Sequence, residues 1–109
     1  GVVEQLVSLG YRVVEATSGE AGLAAFTASR QPFDLVVTDV VMPGALGGRA
    51  LADEVQRRAP PTPVILMSGY TEDAVLDLGQ LGPGLHLLEK PFRKHDLARL
   101  VRAALDRVR

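Results

Sequence analysis

Residues 34–48 read DLVVTDVVMPGALGG. Leu35, Val36, Val37 and Thr38 form a short apolar, β-branched run of the kind that suits a strand. The run ends on the carboxylate of Asp39, and a Met-Pro-Gly turn follows. An acid at the end of a hydrophobic strand is costly to bury unless something offsets its charge. Four readings fit it: a helix cap, a metal ligand, a nucleophile, or a solvated loop residue. Which one holds depends on what the rest of the chain brings beside it.

Outward from this stretch, helical and extended patterns alternate. Val2, Val3, Leu6, Val7 and Leu9 recur at helical spacing, and Gly10 stops the helix. Residues 11–16, YRVVEA, predict a strand. Thr17 stands three positions before Glu20, the spacing of a capping box, which predicts a helix from there to about Arg30. Residues 33–39 form the second strand, and a helix follows from about Gly47 to Ala59, closed by Pro60 and Pro61. Residues 62–68, TPVILMS, form the third strand. A short helix is expected after Thr71, with Glu72 and Asp73 in its first turn where the helix dipole favours anions. Residues 85–89, LHLLE, form the fourth strand. Leu97, Leu100, Val101, Ala104, Leu105 and Val108 line one face of a last helix.

Composition narrows the class. A chain of 109 residues fits one domain and one core. Charged residues make up 23% and apolar residues 47%, ordinary for a globular domain. A net charge of −1 supplies no basic field for nucleic acid or an anionic membrane. With no cysteine, disulfides and thiolate metal sites are excluded. The apolar runs are too short to span a bilayer, and no signal peptide is visible, so a cytoplasmic location is expected. The chain begins at Gly1, already in a helical pattern, which suggests a processed chain or a segment of something longer.

Alternating strands and helices, with nearly all-apolar strands, predict an α/β fold: a doubly wound parallel sheet with helices on both faces. In such sheets chemistry gathers beyond the carboxyl ends of the strands. An acid, a hydroxyl and an amine stand at three of those ends: Asp39, Ser68 and, one residue past Glu89, Lys90. Taken singly, each has a plain structural reading: a cap or loop acid, a turn hydroxyl, a solvated surface charge. Together and in order they have a chemical logic. A carboxylate can attack phosphorus and form an acyl phosphate. The phosphoryl oxygens carry charge that a Lys ammonium can match and a Ser hydroxyl can hydrogen-bond.

These motifs resemble those of the receiver domain of bacterial two-component response regulators, a flavodoxin-like fold, over essentially the whole chain. VVTDVVMPG is similar to the phosphoacceptor segment, with Asp39 as acceptor. ILMSGY is similar to the switch strand, with Ser68 in the Ser/Thr position. LLEKPF is similar to the segment that carries the family's Lys, here Lys90. SGYTEDAV resembles the receivers at the C-terminal end of hybrid sensor histidine kinases. The resemblance implies a cis Lys90–Pro91 bond, a glycine at the next helix start (Gly47), and phosphate taken from a histidine kinase or a histidine phosphotransfer domain onto Asp39. It also implies magnesium held by Asp39, the backbone carbonyl of Val41 and a pair of acids at the end of a first strand. It makes Val41 and Tyr70 the residues that flank the acyl phosphate.

The departures from the family pattern carry expectations of their own. The chain starts inside the helix that follows the family's first strand, so residues 1–109 read as one receiver domain without that strand and its acid pair. In the family this strand lies between residues 11–16 and 33–39. Its absence leaves two protein ligands for magnesium, so no ion is expected to be held by this chain, and it leaves strand edges that favour a homodimer. Leu87 stands where the family carries an aromatic ring, which removes the ring from the switch. His86 and His95 lack partners at metal-ligand spacing, Met42 reads as turn packing, and Arg57, Arg58, Arg99, Arg102, Arg107 and Arg109 read as solvated helix faces. The expected function is a phosphoacceptor module whose output is a change of protein–protein contacts. The rivals are a pseudo-receiver, acting as a pure interaction module, and a flavodoxin-like nucleotide or flavin binder. No Gly-rich phosphate loop follows any strand to support the last.

Overall fold

The computed structural model describes residues 1–42, 44–69 and 82–107. Among these, α1 spans Val2–Ser8, α2 Gly19–Ala28, β1 Val36–Asp39, α3 Gly48–Arg58, β2 Val64–Ser68, β3 Leu85–Glu89 and α4 Lys94–Asp106. The short helix expected after Thr71, the flanking residue Tyr70, and Val108 and Arg109 lie outside the described residues.

Local chemistry sets the helix ends. α1 closes in a Schellman arrangement: Gly10, at φ 97°, bonds back to the Val7 carbonyl, and the Tyr11 N–H bonds to that of Leu6. Gly10 is where the chain needs the left-handed conformation that only glycine adopts without strain. α2 starts one residue later than its capping-box spacing predicts. Ser18, not Thr17, is the cap, and its hydroxyl accepts the Ala21 N–H at 3.0 Å. With Ser18 as the cap, Glu20 is the second helical residue and out of capping-box register, and its carboxylate accepts from the N–H of Leu46, 26 residues away.

The three strands pair in parallel in the order β1-β2-β3. All five residues of β2 are buried, as a strand with neighbours on both edges and helices on both faces requires. The period of two sorts its side chains. Val64 and Leu66 pack with Leu51, Ala52 and Val55 of α3, while Ile65 and Met67 pack with Leu6 of α1 and Leu97 and Val101 of α4. α2 and α3 thus cover one face of the sheet, and α1 and α4 the other. Met42 packs against the first of these clusters, as its turn position predicts.

Residues 11–16 depart from expectation, for they form no strand. Tyr11 and Val13 pack against the cluster on the α1–α4 side, but Val14 is exposed. A strand exists only with a ladder partner to take its N–H and C=O groups. A cleft of about 1430 Å³ is lined by this segment and by residues 33–39, and no ladder joins the two. It occupies the place where the family resemblance puts a strand. Among the described residues, β1 therefore has a paired edge toward β2 and an open one toward the cleft.

Candidate functional site

The site lies past the carboxyl ends of the strands, and strand register builds it. Asp39 ends β1 opposite Met67, and Ser68 ends β2 opposite Glu89. Asp39 is therefore level with the residue before Ser68, and Ser68 with the residue before Lys90. Backbone bonds continue this diagonal beyond the strands. The Val40 N–H donates to the Met67 carbonyl at 2.9 Å, and the Lys90 N–H to the Ser68 carbonyl at 2.8 Å. The Lys90–Pro91 bond is cis, as the resemblance implies.

The diagonal brings Lys90 Nζ to 2.5 Å from Asp39 Oδ1. Oδ1 is shielded from solvent, and its contact with the ammonium is an ion pair. The two side chains are 44% and 41% exposed, and a pair this wet is worth about 0–1 kcal/mol to the fold. Its significance is chemical: an ammonium stands against the carboxylate, where it can offset negative charge on an incoming group. Ser68 is fully buried one residue along. Of the trio picked out at the strand ends, Asp39 and Lys90 meet through their side chains, and Ser68 lies beside them by backbone register.

The other conspicuous groups stand apart from it. His86 is partly buried in β3, and burial, aided by the charge of Arg107, pushes its pKa below the usual imidazole value. His95 lies 3.3 Å from Asp96 on an exposed part of α4. Among the described residues no three His, Cys, Asp or Glu side chains gather as a metal site. The arginines at 57, 58 and 102 pair with Glu54 and Asp106 on their own helices. Val41, two residues past Asp39, is exposed at the start of the following loop.

Two features of the site escape a reading of the sequence. Gly47 is the expected glycine at the helix start, and it is the cap of α3. Yet the close approach falls on Gly48, where an added Cβ would lie 1.8 Å from the Asp39 carbonyl oxygen. The doubled glycine was the available signal, but nothing local says which of the two faces the strand. The second feature is the Glu20 contact with Leu46, which a local capping pattern disguises.

The family model for the response regulator receiver domain matches residues 1–102. The chain belongs to the response regulator receiver domain family. Similar proteins include the sensor kinase CckA of Brucella abortus, 36% identical over 107 residues, covering 98% of this receiver and 11% of that protein. The transcriptional activator protein PfeR of Pseudomonas aeruginosa is 39% identical over 100 residues, covering 92% and 32%. Among solved structures, the receiver domain of NtrX from Brucella abortus superposes with a TM-score of 0.84 at 27% identity, covering 96% of this chain and 87% of that one. A response regulator receiver domain protein from Clostridium thermocellum gives 0.84 at 29%, covering 97% and 83%. The receiver spans less than half the length of such curated relatives, from 11% of the sensor kinase to 44% of a regulator from Bacteroides fragilis. The flavodoxin-like parallel sheet and the phosphoacceptor class expected from the motifs both hold. No helix among the described residues is long and apolar enough to cross a membrane.

Proposed function

We propose that Asp39 is the residue on which this receiver domain takes up a phosphoryl group, supplied by a histidine kinase or a histidine phosphotransfer domain. An Asp39 carboxylate oxygen attacks the phosphorus of a phosphohistidine. The new O–P bond makes an acyl phosphate, the P–N bond breaks, and its electron pair stays on the departing imidazole. The observation that carries the reading is Lys90 Nζ at 2.5 Å from Asp39 Oδ1, at the carboxyl end of the sheet. The ammonium offsets charge on the transferred group where it develops. Ser68 is assigned the switch hydroxyl, donating to a phosphoryl oxygen and passing the modified state to the surface as changed protein contacts. Leu87 packs among apolar neighbours on the α2–α3 side of the sheet, so no ring takes part in that step.

Receiver domains generally bind magnesium at the phosphorylation site. By the family resemblance, the Asp39 carboxylate and the Val41 carbonyl would hold such an ion, which would help offset the charge on the transferred group. Magnesium usually keeps several waters and takes one or two carboxylates, and among the described residues no three acidic or histidine side chains gather to add to these oxygens. The domain is best read as the receiver of a larger cytoplasmic signalling protein, and its likeness to a sensor kinase extends this to the hybrid histidine kinases.

The test is labelling of the full-length protein with a small-molecule phospho-donor and magnesium. Acid-stable label is not expected; base-labile label on Asp39 is. Asp39→Asn abolishes it while Asp39→Ala leaves the fold intact. Label that persists in Asp39→Asn, or that sits on His86 or His95, refutes the assignment. A folded protein that never labels favours the pseudo-receiver.

A further inference from the structure

The loop between Asp39 and α3 is held from outside by the first turn of α2. The Leu46 N–H donates to Glu20 Oε1 at 2.5 Å. Gly44, at φ 95°, lies so close beneath that carboxylate that an added Cβ would be 2.6 Å from Oε2. On the other side of the same residue, Gly19 abuts Leu46, with room for no side chain: a Cβ there would lie 2.1 Å from the Leu46 carbonyl oxygen. Leu46 is thus gripped at both its N–H and its C=O by consecutive residues of α2. The far end of the loop is fixed by Gly48 against the backbone of Asp39.

We infer that Glu20 is a positioning residue for the phosphoacceptor: its carboxylate, by holding Leu46, sets the path of the loop that leaves Asp39 and carries Val41. This rests on the assignment of Asp39 above. Three arguments support it. A hydrogen bond to an ionised acceptor is short and about twice as strong as a neutral one, so it can fix a loop that lacks secondary structure of its own. Glu20 is the second residue of α2, not the third that a capping box with Ser18 would use, and its partner lies 26 residues away, so the contact is tertiary and not a by-product of helix capping. Phosphoryl transfer depends on in-line placement, and an error near 1 Å in a reacting group can lower a rate about 100-fold.

The variants are Glu20→Ala, which removes the acceptor, and Glu20→Gln, which keeps an acceptor oxygen at the same reach. Each is made in the full-length protein. The readouts are the rate of Asp39 labelling by a small phospho-donor with magnesium, hydrogen exchange at the Leu46 amide, and the thermal midpoint. Glu20→Ala is expected to label about tenfold more slowly. Its Leu46 amide should exchange faster, with little change in midpoint, and Glu20→Gln should restore both rate and protection. If Glu20→Ala does not fold, Glu20→Asp, one methylene short of Leu46, carries the same comparison. Labelling at the unsubstituted rate in a folded variant whose Leu46 amide is deprotected overturns the positioning role alone. An unsubstituted protein that folds but never labels overturns the Asp39 assignment, and this role with it. A midpoint that falls in step with the rate, without rescue by Glu20→Gln, also overturns it, because the residue is then a stability element only.

Discussion

Adjacent glycines at the start of α3 offer a sharp test of how the acceptor strand meets its helix. At Gly48, an added methyl group would lie 1.8 Å from the Asp39 carbonyl oxygen, 2.8 Å from its carbon and 2.9 Å from the Val40 Cα. All three are backbone atoms at the end of β1, so no rotamer change relieves the contact. Non-bonded carbons attract at roughly 3.5–4 Å, so the helix start must back away from the strand by about 1.5 Å or more. Overpacking of this kind costs roughly 1–3 kcal/mol, sometimes more. Alanine recovers about 1 kcal/mol of helix propensity over glycine, because it loses less backbone entropy. At 1.8 Å from backbone the upper end of that range applies, and about 3 less about 1 leaves Gly48→Ala destabilised by about 2 kcal/mol.

Gly47→Ala is the matched control. Its Cβ meets only the Val40 carbonyl oxygen, at 3.5 Å, an ordinary contact, and Gly47 already has a φ of −78° that alanine adopts freely. Replacing this cap should cost less than about 1 kcal/mol. Urea titration of both variants, read by far-ultraviolet circular dichroism, gives the comparison. For a domain of this size, 1 kcal/mol corresponds to roughly 4–8 °C in thermal midpoint, so a melting experiment resolves the same difference. A Gly48→Ala protein as stable as the parent, or more stable than Gly47→Ala, would refute the close approach of α3 to the acceptor strand.

Lys90→Met should abolish Asp39 labelling yet shift stability by less than about 1 kcal/mol, since a solvent-exposed pair contributes little to folding; a large loss in a urea titration would show the pair to be structural. His86 has a lowered folded-state pKa, so the unfolded chain takes up its proton first, and the folded state loses stability as the pH falls through the unfolded value near 6.5 toward the folded one. His86→Gln should flatten that part of the stability-against-pH curve, and an unchanged slope between pH 7 and 5 would contradict it. The 109-residue chain taken alone should sediment as a dimer or larger assembly, because the open edge of β1 borders an apolar cleft and unpaired edges recruit other strands. A stable monomer at micromolar concentration would overturn that. In a magnesium titration the same chain should show weak binding only, and tight binding would mean that the coordinating set is not the one described.

Much of this receiver is legible without coordinates because its determinants are local. The apolar runs at 62–68 and 85–89 supply β2, which begins at Val64, and β3 because each is bounded by turn residues and is too short and too β-rich for a helix. Asp39, Ser68 and Lys90 could be grouped from sequence alone, since parallel strands put all their carboxyl ends on one side of the sheet. Other features are properties of pairs of segments distant in the chain. Residues 11–16 have a strand's composition, but a strand needs a neighbour, and only the tertiary structure shows a cleft where that neighbour would be. Thr17 and Glu20 have a capping box's spacing, but the helix starts from Ser18, which takes Glu20 out of that register, and the packing of α2 against the loop gives its carboxylate to Leu46. Gly47 and Gly48 are indistinguishable as letters. The direction in which α3 leaves the strand turns one into a tolerant cap and the other into a position with no room for a side chain, because backbone-to-backbone distance is set by how two elements meet and by neither one alone.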